Sequence, residues 1–170
     1  AAENNVEPIV KTLLSGTGDE TSGVLSPDES KVAYTDWTAL SGDLAVKDIK
    51  TGKVTKLTSH ETNRPDNVYE ILQYPVWSPD SKWIAYGLLL DGQVTQDYSV
   101  RIVPVDGGMS KVLKSNSEMW YEPVDWSQDG KSLLCILHHA GNSMALGIVP
   151  VESGEVRQLV AHLLMASADP

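Results

Sequence analysis

The chain has 170 residues, a formal net charge of −10, and 41% hydrophobic against 21% charged residues. That balance excludes intrinsic disorder, and 13 Lys and Arg against 23 Asp and Glu argue against nucleic acid, which calls for a basic patch. The lone Cys135 excludes an internal disulfide and a cysteine-cluster metal site. The longest clean apolar run, IAYGLLL at 84–90, falls far short of the ~20 residues of a spanning helix.

The first strand-like run is IVKTLL at 9–14. From residue 24 the chain reads VLSPDESKVAYT, from 76 VWSPDSKWIAYG, and from 125 DWSQDGKSLLCI. Each phrase is an apolar approach (strand A), a Ser-x-Asp turn, a Lys, and a second apolar run (strand B). Ser26, Ser78 and Ser127 are spaced by 52 and 49 residues. Ser followed by Pro27 or Pro79 is type I turn chemistry, and the serine hydroxyl can accept a hydrogen bond from the backbone beyond. The third copy has Gln128 for Pro and Gly130 in the turn, and in the first Glu29 reads as one extra residue. The B runs 32–35, 83–86 and 133–137 are apolar on both faces, as strands sandwiched between neighbouring sheets require.

A hairpin follows each phrase, with strands C and D around a Gly-containing turn: 44–49 to 54–57, 100–105 to 111–113, and 146–151 to 156–159. Helical periodicity is weak throughout, its best stretch being the tail at 159–166. Four-stranded units returning at about 50 residues predict an all-β fold, a β-propeller of antiparallel blades.

Trp77-Ser78-Pro79-Asp80-Ser81-Lys82 with Ile84-Ala85-Tyr86 resembles the WSPDGKxIAY signature of the Pro-Asp type of propeller repeat, which is WD-like. That repeat occurs in the TolB family of the periplasmic Tol-Pal system, and in the propellers of tricorn and prolyl-oligopeptidase-type peptidases. The resemblance spans about residues 20–160. It implies fold strongly and function weakly, because such propellers serve many roles.

The predicted organisation is an isolated D-like strand at 9–14, blades at 20–58, 72–114 and 121–160, and 161–170 as the lead-in to a further blade or a disordered tail. The run at 9–14 resembles the D strands VTKL, SKVL and VRQL, yet precedes the first unit. Pro75, Pro123 and Pro170 are spaced by 48 and 47, so Pro170 holds the place just before the next turn phrase. Three blades cannot close a ring that usually has four to eight. Either the chain is part of a longer propeller, which the orphan strand favours, or two chains assemble a six-bladed ring. Both predict association, because end blades expose apolar faces.

No chemistry is legible. Gly-x-Ser-x-Gly is absent, as is a Gly-rich phosphate cradle opening a helix, so neither a serine hydrolase nor a nucleotide site is expected. His138 and His139 are adjacent on strand B or its exit, so they should point to opposite faces and cannot easily share a metal ion. The run at 91–97 is faintly like a calcium loop but lacks the terminal Glu, and reads as a solvated B–C loop. No cofactor and no metal are expected. Trp77 and Trp126 belong to the blade core, and Trp83 packs between blades.

Trp37 and Trp120 lie in the B–C and D–A connections, which emerge on one side of a propeller. With Tyr69 and Tyr121, beside Asp36, Arg64, His138 and His139, they form a surface able to take a protein or peptide partner, or else they cap adjacent blades. The expected role is a non-enzymatic interaction module. The alternatives are the substrate-gating propeller of a serine peptidase, or an extracytoplasmic sensory domain. The resemblance points to a periplasmic or other extracytoplasmic location, and the cytoplasm stays open.

Overall fold

The computed structural model describes residues 20–37, 42–59, 69–91, 96–139 and 143–164. Strands β1 (Glu20–Leu25), β2 (Lys31–Asp36), β3 (Asp43–Asp48) and β4 (Val54–Lys56) form one antiparallel sheet in that order. A second sheet contains β5 (Tyr69–Trp77), β6 (Trp83–Asp91), β7 (Gln96–Pro104) and β8 (Lys111–Asn116). The third contains β9 (Met119–Trp126), β10 (Ser132–His139), β11 (Ser143–Pro150) and β12 (Arg157–Leu164). Each sheet is an up-and-down meander with strands in the order A to D, so the three are blades of a partial β-propeller. The described residues contain no helix. The stretch with the best, though weak, helical periodicity is strand over its described part: β12 continues to Leu164 and pairs with β11 as far as Ser143. The free edge of β11 satisfies that backbone, and such pairing overrides a marginal local preference. The run at 9–14 and residues 165–170 lie outside the described residues.

One hydrogen-bond module builds all three A–B turns. The serine hydroxyl donates to the aspartate two residues on: Ser26 to Asp28 at 2.6 Å, Ser78 to Asp80 at 2.6 Å, Ser127 to Asp129 at 2.7 Å. The same hydroxyl accepts the amide five residues on, from Lys31, Trp83 and Ser132, at 2.9 Å each. Each aspartate also accepts an amide two residues beyond itself, at 3.0, 3.2 and 3.0 Å. The turn closes on a left-handed residue: Glu29 at φ 59°, Ser81 at 59° and Gly130 at 70°. Their amides donate to the carbonyls of Ser26, Ser78 and Ser127.

Glu29 is therefore not an extra residue. It fills the place of Ser81 and Gly130, at a steric cost of about 1 kcal/mol that glycine avoids. The lysine is what moves: Lys31 stands where the second blade has Trp83, and Ser30 where it has Lys82.

Stacking of the sheets rests on two indoles. Trp77 Nε1 donates to the Val24 carbonyl at 2.9 Å, and Trp126 Nε1 to the Val76 carbonyl at 3.1 Å. In both cases the tryptophan before the repeat serine ties its blade to the matching residue of the preceding blade. Both rings are buried. The second sheet is covered on both faces, as its sequence requires. Along β6, Ile84, Tyr86 and Leu88 enter a core with Ala33, Leu44, Val46 and Leu57 of the first sheet. Ala85 joins Val100 and Ile102 in a separate core with Tyr121, Leu133, Cys135 and Leu137 of the third. The expectation for Trp83 is corrected in part. It lies at the second junction but stays 37% exposed.

Two outcomes test these assignments. Trp126→Phe keeps the apolar ring but strands the Val76 carbonyl, and should lower stability by about 1 kcal/mol in a urea melt. The turn aspartates contribute to acid behaviour. The donors from Ser26 and Ser30 lower Asp28 from the ordinary 3.8 to about 2, and the same kinds of bond lower Asp80 and Asp129. In the acid window the unfolded chain binds more protons, so this stabilisation is complete above pH 3.8 and is lost as pH falls through about 2. Ser26→Ala should flatten that loss in melts between pH 5 and 2, because Asp28 then titrates nearer its unfolded value.

Candidate functional site

On the side carrying the B–C and D–A connections, the innermost strands of the second and third sheets bring an aromatic cluster together. Trp120 and His138 are direct cross-strand partners on β9 and β10. Their rings stack, with centroids 4.6 Å apart and an interplanar angle of 25°. Glu122, two residues along β9, shares that face, and its Oε2 lies 2.7 Å from His138 Nε2. Tyr74 reaches in from β5, its ring centroid 5.8 Å from that of Trp120. Tyr74 sits in the bulge between Gln73 and Val76 at φ 58°, a strained position that turns its ring out of the ladder. Burial, and then the charge of Glu122, push its phenol above the ordinary 10.0.

Gly87 of β6 makes room for this approach. A Cβ there would come 2.6 Å from the Tyr121 carbonyl oxygen and 3.4 Å from Trp120 Nε1. The two blades thus meet backbone to backbone, and Trp120 lies over the seam.

The other expected surface residues separate by environment. Tyr121 is only 1% exposed, and its hydroxyl is 2.6 Å from Asn116 Nδ2, so it belongs to the core and not to a recognition surface. Alternation explains this, because a residue next to an outward Trp120 on a strand must point the other way. Both Trp120 and Tyr121 lie within β9 rather than in the connection before it.

Asp36 ends β2 and stands opposite Asp43 of β3, and Lys56 Nζ is 3.8 Å from an oxygen of each. The lysine thus offsets two facing carboxylates, a structural clip. Trp37 is half-buried and folds toward the hairpin, since a Cβ on Gly42 would meet its ring at 3.0 Å. That is capping behaviour. His139 is also half-buried, with Nε2 shielded from solvent. Tyr69 opens β5 opposite Asp91, and Arg64 lies outside the described residues.

Tyr74 and Glu122 were not singled out from the sequence. The spacing of Glu122 from Trp120 on a strand could have shown a shared face. Pro75, which has no N–H for the ladder, is the sequence mark of the bulge that places Tyr74.

What stacks on the His138 imidazole is an indole, not a hydroxyl or thiol to be activated. Burial pushes the Cys135 thiol up to about 12, which leaves no thiolate at neutral pH. Among the described residues, no group of three or more His, Cys, Asp or Glu could hold a metal ion, and no helix is long and apolar enough to cross a membrane. The arrangement is suited to binding: half-exposed rings beside one carboxylate.

No protein-family profile matches the chain, and no curated protein matches it. Solved structures do. TolB from Acinetobacter baumannii superposes with a TM-score of 0.67 at 22% identity, over 88% of this chain and 34% of its own. The β-propeller domain of the Trilobed protease from Pyrococcus furiosus gives 0.59 at 15% identity, over 88% and 44%. Dipeptidyl peptidase 4 from Porphyromonas gingivalis gives 0.64 at 11% identity, over 87% and 26%. The chain is thus an arc of a β-propeller. Its fold is that of TolB and of peptidase propeller domains, and it spans about a third of the TolB chain it matches. At these identities the likeness establishes fold alone.

The closeness of the seam predicts that Gly87→Ala is destabilising by about 1–3 kcal/mol, since backbone rather than a flexible side chain must move. Trp120 emission should shift with it. Cys135 should react with a thiol reagent only on unfolding, so its labelling rate should follow denaturant as global stability does. Fast labelling of the native chain would contradict its burial.

Proposed function

We propose that this chain is a non-enzymatic interaction module that binds a protein or peptide partner through the side carrying Tyr74, Trp120, Glu122 and His138. The stacked, half-exposed Trp120–His138 pair beside Tyr74 carries the reading. Aromatic rings held in place by packing are the groups that anchor partners at low entropic cost. The fold shared with TolB supports an extracytoplasmic, periplasmic setting. Self-association, or packing against the remainder of a longer propeller, belongs to the same reading. Val24 and Leu25 on the first sheet and Val124 on the third are 37%, 45% and 46% exposed, and apolar surface of this kind associates. Light scattering should therefore give a mass above that of one chain. A single-chain mass with a cooperative melt would refute association.

The alternative, a substrate-gating propeller, draws on the peptidases among the structural neighbours. A downstream segment carrying Gly-x-Ser-x-Gly in the same reading frame would favour it.

The partner surface is tested with the immobilised chain and a periplasmic extract, comparing wild type with the Tyr74→Ala/Trp120→Ala double variant. The expected result is loss of a specific captured protein by a double variant that still melts cooperatively. Equal capture by both would set this surface aside.

A further inference from the structure

On the opposite side, where the A–B turns lie, a cleft of about 400 Å³ opens between the second and third sheets. Trp126 and Ile102, both buried, line it together with the exposed Trp83. Asp80, Asp129 and Gly130 complete it from the two turns.

The repeat supplies its own comparison. The junction between the first and second sheets holds a cleft of about 360 Å³ that overlaps the matching place and extends toward the C–D turn of the first sheet. It has Lys31 where the other has Trp83, Val46 for Ile102, and Val105 for Val151. There the Ser81 hydroxyl accepts the Asp28 amide at 3.2 Å and ties the two turns together. At the second junction Gly130 takes the place of Ser81. It has no hydroxyl to offer the Asp80 amide, and the turns line an open cleft instead. The two substitutions, Lys to Trp and Ser to Gly, replace a cation and a tie with an aromatic face and a space.

We propose that this cleft is a second binding site, one that takes the guanidinium of an arginine side chain on a partner peptide. A planar cation lies flat on an indole, and Trp83 presents one. Asp80 and Asp129 each spend Oδ1 on their own turns, accepting the serine hydroxyl and a backbone amide, which leaves Oδ2 for a ligand. The bonds that hold these turns also lower both carboxyls, so they stay ionised. Lys111, the one ammonium among the lining residues, donates to the Val151 carbonyl at 2.7 Å. Lys82 and Lys131 are exposed and do not line the cleft. An alkylammonium would gain the charge but not the stacking, so arginine fits better than lysine. The volume is at the small end of the range for ligand pockets, about 300–1,000 Å³, as one side chain with flanking backbone requires.

The test uses the full chain labelled with ¹⁵N and the capped peptide acetyl-Gly-Arg-Gly-amide at low salt. The indole N–H signals of Trp83 and Trp126 should shift and saturate, while the same peptide with neutral citrulline gives no saturable shift. Gly130→Ser restores the residue of the first junction at a backbone angle Ser81 already holds, and Trp83→Lys restores its cation. Each should abolish the Trp126 shift in a chain that still folds, Gly130→Ser melting a few degrees lower because serine bears the left-handed strain that glycine avoids. Trp120→Ala, on the other side, should leave both shifts in place. The proposal fails if the citrulline peptide shifts the same signals equally, if either folded variant keeps the response, or if wild type shows none. Should one variant not fold, the other and the citrulline comparison still decide.

Discussion

An indole N–H brought into a protein interior needs an acceptor, and in this chain it has one address, a carbonyl on the preceding sheet. Sheet-on-sheet packing through aliphatic side chains is tolerant of sliding, because apolar contact has no direction. Trp77 and Trp126 remove that tolerance with bonds of 2.9 and 3.1 Å to the residue two before the repeat serine. The rest follows from that alignment. Tyr86 meets the first sheet and Ala85 the third. Gly87 falls opposite the Tyr121 carbonyl, where no side chain could fit. The A–B turns come into line, close enough for Ser81 to reach the Asp28 amide.

The two sides of the arc are constrained differently. Every A–B turn repeats one serine-centred network, so variation there falls on positions the network leaves free, among them the fourth turn residue and the first residue of strand B. Those are the positions where the junctions diverge, Ser81 against Gly130 and Lys31 against Trp83. On the other side the described residues share no such network, and the strands end differently in each blade. The first sheet closes its end with Lys56 between Asp36 and Asp43, with Trp37 folded over Gly42. The third carries Trp120, His138 and Glu122 at the corresponding end, half-exposed. Rigidity on one side holds the variable side in place.

Fold was largely legible because it rests on local chemistry that recurs. Ser26, Ser78 and Ser127 with their aspartates show the turns, and doubly apolar B runs show the sheets to be sandwiched. Spacing misled at Glu29, since counting to the lysine assumed that the lysine, and not the hydrogen-bonded turn, was the invariant. The candidate site was legible in part. Trp120 and His138 could be named from their place near strand ends, but their pairing depends on register across β9 and β10. Tyr74 depends on a bulge that Pro75 could have marked, but no residue type in YPVW announces the positive φ. Tyr121 was misplaced because the strand was expected to begin at 121. Starting β9 at Met119 reverses nothing in the alternation but puts Tyr121 inside the ladder, facing Leu137.

The same indole rule bears on what can meet the outer sheets. Leu25 occupies the position of Trp77 and Trp126, so the first sheet has no N–H to give a sheet packed against its far face. Leu25 is 45% exposed, so at this position that face offers an apolar contact without a directional bond. At the other end the Asp125 carbonyl corresponds to those of Val24 and Val76, an acceptor suited to an indole. A second copy of this chain packed head to tail would bring Leu25 to that acceptor, and a ring closed by such copies would lack the directional bond at each junction between chains. A sheet bearing tryptophan at the repeat position would supply it. Apolar burial drives both unions, but only the second fixes register as the internal junctions do.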